Sequence, residues 1–369
     1  MTHQVELAEE RFADELEFLE RWDTGNRPPG WKLTPQAVVT FIMGGKDLKA
    51  GRSKLTIAPK YVGDPALVER CVITLAGSRG LMLVGEPGTA KSMLSELLSA
   101  AVCGTSALVV QGTAGTTEDQ LRYGWNYAML LGKGPTPEAL VPSPVMRAME
   151  TGAVARVEEI TRCLPEVQDS LVSLLSERRI AVPELGDASV AATEGFGLIG
   201  TANLRDKGVS EMSAALKRRF SFETVHPIAG LDAEIALVTA QTRRALDAAQ
   251  IDTPVDDVVV DVLVTAFRDL RAGVSREGWP VEKPTTVLST AEAVSVSTSI
   301  ALASAYFPSR SDGLRDVAGH LLGVVRKDDP ADADRLRGYW DAVVHRRAKE
   351  GAAPWLSLIH ISEPTRRTP

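Results

Sequence analysis

Cysteine is scarce in this chain of 369 residues: Cys71, Cys103 and Cys163 stand far apart, with no ligand spacing between them. Such usage excludes a disulfide framework and a cysteine metal site, and it predicts reduced core thiols in a cytoplasmic protein. Long apolar runs are missing too. No stretch of about 18 uncharged apolar residues occurs, so no membrane-spanning helix is expected. The acidic N-terminus has no apolar h-region, which excludes a secretory signal. Nor is positive charge in excess. Lys and Arg number 41 against 48 Asp and Glu, a net charge of −7, which argues against a nucleic-acid partner, whose phosphates demand a basic face. Eight acidic and two basic residues between Val5 and Asp23 hold most of that imbalance. Repeats and low-complexity tracts are also absent. With 44% apolar and 24% charged residues, disorder, collagen and a coiled-coil rod are excluded.

What is present is enough chain for two to three domains at roughly 150 residues each. Residues 5–22 read as an amphipathic helix, with Val5, Ala8, Phe12, Leu16 and Leu19 recurring at spacings of three and four, packed on its own domain. The prolines and glycine of Asn26–Gly30 then read as a linker, so 1–54 is expected to be an N-terminal helix and linker. Over 55–229, short apolar runs (Leu81–Val84, Ala107–Val110, Ala153–Val157, Phe196–Gly200) alternate with helical stretches. That pattern predicts an α/β domain, a parallel sheet flanked by helices. From Leu231 no strand is expected. Helical patterns cover 231–249, 254–272, 290–306, 312–326 and 332–349, the second opened by Pro254 at its first position. Residues 230–350 therefore read as an all-helical domain. After Gly351 the stretch LSLIHISEPTRRTP continues no periodicity. It resembles read-through of a sequencing adapter, so 356–369 is expected to be non-native, and His360 and the terminal arginines are given no role.

The apolar run ending at Val84 is followed by Gly85-Glu86-Pro87-Gly88-Thr89-Ala90-Lys91-Ser92, and then by Met93, Leu94, Leu97, Leu98 and Ala101 on one helical face. A strand, a glycine loop and a Lys-Ser pair opening a helix make the context of a P-loop. Loop and helix N–H groups point at phosphates there, and the helix dipole favours their charge. Lys91 would span the β- and γ-phosphates and the Ser92 hydroxyl would hold Mg2+. Glycine commonly precedes that lysine. Here Ala90 does, and its methyl group is tolerable where the local φ is negative.

A second element follows some seventy residues on, where Ala153–Val157 ends in Glu158-Glu159. The first carboxylate is the candidate for the Mg2+ shell and the second for the general base. Glu158 stands where aspartate is usual, one methylene further out. Arg156 inside the run argues against full burial of that strand. The run Phe196–Ala202 ends at Asn203, a candidate sensor of the γ-phosphate or attacking water. Last comes Lys217-Arg218-Arg219-Phe220. Arg219, with Arg218 as the alternative, is the candidate arginine finger reaching a neighbouring subunit.

P-loop, paired glutamates, strand-end asparagine, basic cluster and helical domain, in that order, resemble the AAA+ ATPases and, within them, the MoxR family over roughly 55–325. GEPGTAKS is close to the MoxR form of Walker A, including the alanine before lysine. EEITRCLPEVQDSLVSLLSERRIAV resembles the family's helix after Walker B, and LIGTANLRDKGVSEMSAALKRRF its sensor 1 and arginine-finger stretch. The resemblance implies a P-loop NTPase core with a helical lid, binding ATP and Mg2+. It places Tyr61, Val62 and Gly63 where the family holds adenine, and residues 85–93, Met93 included, around the nucleotide. It implies a homo-oligomeric, usually hexameric ring acting on a protein client, a von Willebrand factor A domain protein being the partner such ATPases work with; charge and hydropathy, not the resemblance, leave neither nucleic acid nor membrane expected. Two readings depart from the motor: a nucleotide-gated scaffold with little hydrolysis, and a nucleic-acid motor. The family's sensor 2 arginine finds no match in Ser289–Glu292, which reads as a capping box. Lys283, Arg310 and Arg315 are the nearby basic residues. Tyr123, Trp125 and Tyr127 alternate as on one strand face, in a region the family forms into a hairpin near the pore. Hairpin packing and a client-gripping face are the two readings there.

Overall fold

The computed structural model describes residues 6–203, 210–309, 313–327, 329–351 and 353–359. The described residues up to Glu86, with those of Ala90–His226, form one compact unit. Pro87–Thr89 group with the described residues from Pro227 onward in a second.

The first unit is built on five strands, β1 (Gly80–Val84), β2 (Val109–Gln111), β3 (Val154–Glu158), β4 (Gly197–Ala202) and β5 (Phe220–Thr224). They lie in the order β5-β1-β4-β3-β2, every neighbouring pair parallel. β1, β3 and β4 are buried at every position, because helices cover both faces, and they therefore read in sequence as mainly apolar runs, with Arg156 and Glu158 of β3 and Thr201 of β4 as the polar exceptions. Successive side chains go to opposite faces. Leu81 and Leu83 pack in one buried cluster with Leu94, Leu97 and Leu98. Met82 and Val84 pack in another with Ala155, Val157 and Leu198. The expected α/β class is observed. β5 is additional to the expected strands: only Phe220 faces the core fully, and polar residues alternate with the phenylalanines. Its Phe220 ring lies where a side chain on Gly80 would be, 2.6 Å from an ideal Cβ.

The N-terminal segment differs from the expectation. Its helical stretch is two helices, Ala8–Arg11 and Ala13–Trp22, with Phe18 and Leu19 buried; Val5 lies outside the described residues. Residues 26–30 break the helix but do not separate one domain from another. Trp31 and Leu33 directly after them are buried, and the Lys32 amide donates to the Val102 carbonyl at 2.7 Å. A helix, Pro35–Met43, capped by Thr34, and a hairpin, Gly45–Ala50 with Ser53–Ile57, follow in the same unit. The expected boundary at residue 54 is thus corrected. The apolar residues after the break continue one core.

The second unit's described elements beyond residue 230 are helical. Leu231–Ala248, Asp257–Ala272, Thr290–Tyr306 and Asp316–Val325 correspond to four expected helices. Pro254 does not open its helix: Asp256 does, its carboxylate accepting from the amides of Val258 and Val259. The stretch expected at 332–349 contains Asp332–Tyr339, a π-helical turn Trp340–Val344, and His345–Lys349. A further helix, Ala353–Ile359, buries Trp355 and Leu358. The boundary expected at 356 falls inside it, while 360–369 lie outside the described residues. Among the described residues no helix is long and apolar enough to cross a membrane.

Candidate functional site

A parallel sheet directs all its strand ends one way, and loops leaving the C-terminal edge are the common ligand site of such sheets. β1, β3 and β4 are adjacent there and release Gly85–Ala90, Glu159 and Asn203 respectively. Three of the sequence motifs thus converge because the chain threads β4 between β1 and β3.

After β1 the loop turns through two left-handed residues, Gly88 at φ 71° and Ala90 at φ 69°. The condition set for tolerating Ala90, a negative φ, is not met: the methyl group sits in a region that costs a non-glycine residue roughly 1–2 kcal/mol. Ala90 precedes the Lys91–Cys103 helix and gives it no side-chain cap, so this residue leaves the first-turn amides to other acceptors. Lys91 Nζ donates back to the carbonyls of Gly85 (3.0 Å) and Glu86 (2.7 Å). Burial lowers the lysine pKa against the opposing pull of Glu159, Glu158 and Glu86. Met93, in the first turn, packs against the core. Pro87 and Thr89 complete the loop. An uncapped helix N-terminus, a left-handed glycine and an ammonium over the loop are the donor set of a polyphosphate site, so the residues present fit a nucleotide with its Mg2+.

Glu158 is 4% exposed and fully engaged. Its Oε2 accepts from Ser92 Oγ and Thr201 Oγ1, each at 2.7 Å. Its Oε1 accepts from Ser95 Oγ at 2.6 Å and from Arg156 Nη2 at 3.0 Å and Nε at 3.3 Å. Burial pushes the carboxyl up, but the hydroxyls of Ser95, Thr201 and Ser92 and the Arg156 charge outweigh it and hold the group below its ordinary value. The expectation that Arg156 would keep β3 partly exposed is corrected: the guanidinium is buried because the carboxylate two residues along the same face neutralises it. Ser95, Thr201 and Arg156 join the site without being marked by any motif. Ser95 follows Ser92 by one helical turn and Thr201 precedes Asn203 by two, but their relevance depends on strand order, which no local pattern reveals.

Glu159 takes a left-handed backbone, φ 51° and ψ 44°. Its amide donates to Thr201 Oγ1 at 2.9 Å, and its carboxylate pairs with Arg162. Gly112, after β2, donates to the Glu158 carbonyl at 2.7 Å. A Cβ there would lie 2.5 Å from the Glu159 carbonyl, so only glycine fits this approach. Asn203 follows β4 directly and is half-buried. Tyr61 is buried, its ring against Gly63, with Val62 between them half-buried. Of the finger candidates, Arg219 donates to Ser176 Oγ and, at 2.6 Å, to the Ala215 carbonyl. Arg218 is exposed. Arg310 and the Arg315 side chain lie outside the described residues, and the Ser289–Glu292 capping box is formed.

The aromatic stretch divides. Tyr123–Trp125 is a strand paired with Leu140–Pro142. Tyr123 is buried, donates to Glu184 at 2.8 Å and meets Trp125 edge-on. Tyr127 leaves that face: Asn126 caps a helix, Tyr127–Lys133, on which Tyr127 and Leu131 are exposed.

Two protein families match the chain. One, described as AAA domain (dynein-related subfamily), matches residues 80–220. The other, described as YehL-like AAA+ ATPase C-terminal domain, matches 232–364 and so runs past the boundary expected at 356. YehL of Escherichia coli K12 is 46% identical over 341 residues, 91% of this chain and 92% of its own length. YojN of Bacillus subtilis is 26% identical over 56% of this chain and 64% of its own. A Staphylococcus haemolyticus protein is 25% identical over 57% and 74%. A solved structure from Cytophaga hutchinsonii covers 97% of this chain and 98% of its own at 13% identity, with a TM-score of 0.39, a likeness too weak to speak to fold.

Proposed function

Since the chain belongs to the YehL-like AAA+ ATPases and is an ATP-hydrolysing enzyme, we propose that it is a MoxR-type ring motor, cytoplasmic and chaperone-like, that remodels a protein client. The observation carrying this reading is the convergence of Lys91 and Ser92, Glu158 and Glu159, and Asn203 on one sheet edge. Mg-ATP, when bound, supplies the phosphoanhydride and the divalent charge that offsets its oxygens.

The chain's own groups then have separable tasks. The first-turn amides and Lys91 bind phosphate oxygens, the lysine exchanging the Gly85 and Glu86 carbonyls for them. Ser92 and Glu158 offer oxygen ligands to Mg2+, directly or through water. Glu159 is the general base; to act it leaves Arg162 and accepts a proton from the attacking water. Asn203 orients that water. Tyr61–Gly63 border the adenine. An arginine supplied by a neighbouring copy offsets the charge that develops on transfer. Arg219 is tied to its own protomer and Arg218 is not, so both belong in the test.

Ring assembly, usually hexameric, and a partner with a von Willebrand factor A domain complete the reading; both rest on the motif match to the MoxR family. The exposed Tyr127, Leu131 and Val141 are apolar groups of the hairpin insertion available to a client.

The test is Mg2+-dependent phosphate release by wild type, Lys91→Ala, Arg218→Ala and Arg219→Ala, singly and mixed. Turnover by wild type, loss in Lys91→Ala, and recovery on mixing it with an inactive arginine variant support sites shared between copies. Wild type that binds ATP without releasing phosphate overturns the motor. Absent recovery overturns the shared site. Stimulation by DNA or RNA, rather than by a protein partner, overturns the client class.

A further inference from the structure

We infer that Arg156 is a positioning residue for Glu158, setting which carboxylate oxygen is presented to the Mg2+ of the nucleotide. This rests on the reading of Glu158 given above.

Arg156 is a misfit in its strand. Position 156 lies in the middle of a strand buried on both faces, where a charge is costly unless paired. Stability alone does not account for it, since a buried ion pair is commonly replaceable by apolar residues of similar volume without loss. What distinguishes this pair is its geometry. Arg156 and Glu158 project from the same face of β3, two residues apart. Nε and Nη2 both reach Oε1, and Ser95 adds a third donor to that same oxygen. Oε2 is left to the hydroxyls of Ser92 and Thr201. The carboxylate therefore cannot rotate without breaking a charge-assisted contact, and its Oε2 stays beside the hydroxyl expected on Mg2+.

The arginine is itself fixed from behind. Nη1 donates to the Ser106 carbonyl at 2.9 Å. Ser106 in turn gives its amide and hydroxyl to the Glu9 carboxylate at 2.8 and 2.7 Å. Glutamate is one methylene longer than the usual aspartate, and an arginine pulling one oxygen back along the strand offsets that extra reach. A lysine or an apolar residue offers no such two-point hold.

The experiment measures binding of the non-hydrolysable analogue adenylyl imidodiphosphate to the full chain, in chelator and across a Mg2+ titration. Wild type, Glu158→Gln, Arg156→Met and Arg156→Lys are compared. Arg156→Met is expected to raise the Mg2+ concentration for half-maximal tightening by about tenfold or more, with unchanged affinity in chelator. Arg156→Lys falls between, and adding Arg156→Met to Glu158→Gln gives no further shift. A loss equal with and without Mg2+, or an unshifted titration, overturns the inference. Should Arg156→Met not fold, Arg156→Lys decides by the same comparison. If wild type shows no tightening with Mg2+, or Glu158→Gln does not shift it, the reading of Glu158 fails first and this inference with it.

Discussion

Ala90 and Glu159 hold left-handed backbone on either side of the candidate site, at φ 69° and 51°. Strain of this kind is retained where the surroundings dictate it, and sites are where it gathers. Ala90→Gly relieves roughly 1–2 kcal/mol of it against about 0.4–1 kcal/mol of added unfolded-chain entropy. A small gain in the urea midpoint is expected, whereas Ala90→Val loses at least about 1 kcal/mol. A midpoint lowered by the glycine would contradict the strain. Burial pushes the Cys71 thiol up to about 12, so Cys71 should resist maleimide at pH 8 until the chain is unfolded, as peptide mapping can show. The principal candidates are legible as residues: Lys91, Ser92, Glu158, Glu159 and Asn203 stand at motif spacings. Ser95 and Thr201 are not, because each acquires its carboxylate partner from another strand or helix, nor is the role of Arg156, since only the strand's pleat shows that it and Glu158 share a buried face. Nor is the sign of φ at Ala90, since the identity of a residue does not fix the conformation its loop imposes.

Elements show the same division. β1, β3 and β4 announce themselves as apolar runs because helices cover them on both sides. β5 does not, being an edge strand with polar residues between phenylalanines. Its anchoring ring tests its weight. Phe220→Ala empties a fully buried site against Gly80 and should cost about 3–5 kcal/mol in denaturant unfolding. A loss under about 1 kcal/mol would mean β5 is dispensable to the sheet. In the second unit, fully buried Glu234 binds Arg268, Arg271 and Thr290 at 2.7, 2.8 and 2.6 Å, joining three helices. Burial pushes this carboxyl up, but those partners outweigh it and the group sits below its ordinary value. A lowered folded value means stability that is complete above the ordinary glutamate range and lost as pH falls through the lowered one. Glu234→Gln is therefore expected to cost on the order of 3 kcal/mol near neutrality, a deficit that shrinks as wild type is acidified. A deficit as large in acid as near neutrality would count against the pairing.

At the scale of the whole molecule, a site that borrows an arginine from a neighbour works only when copies meet. Specific ATPase activity should thus fall as protein is diluted, and rise again with mass at sedimentation; activity independent of concentration speaks for a self-sufficient protomer. The division into an α/β unit and a helical unit is readable from the change of periodicity near Leu231. The inclusion of the N-terminal helices and hairpin in the α/β unit is not, because a proline-glycine break looks alike whether the chain leaves a core or re-enters it.

The strand order has a bearing on birth as well as on chemistry. β1 is flanked by β4 and β5, both of which follow it, β2 and β3 in sequence. On the ribosome the strand that carries the phosphate loop therefore waits with two open edges until residues 197–224 have emerged, while β2 and β3 can already pair. Nascent chains stalled before Gly197 should be the ones that chaperones hold and that aggregate when released, and those stalled after Thr224 has emerged should be the first able to retain nucleotide.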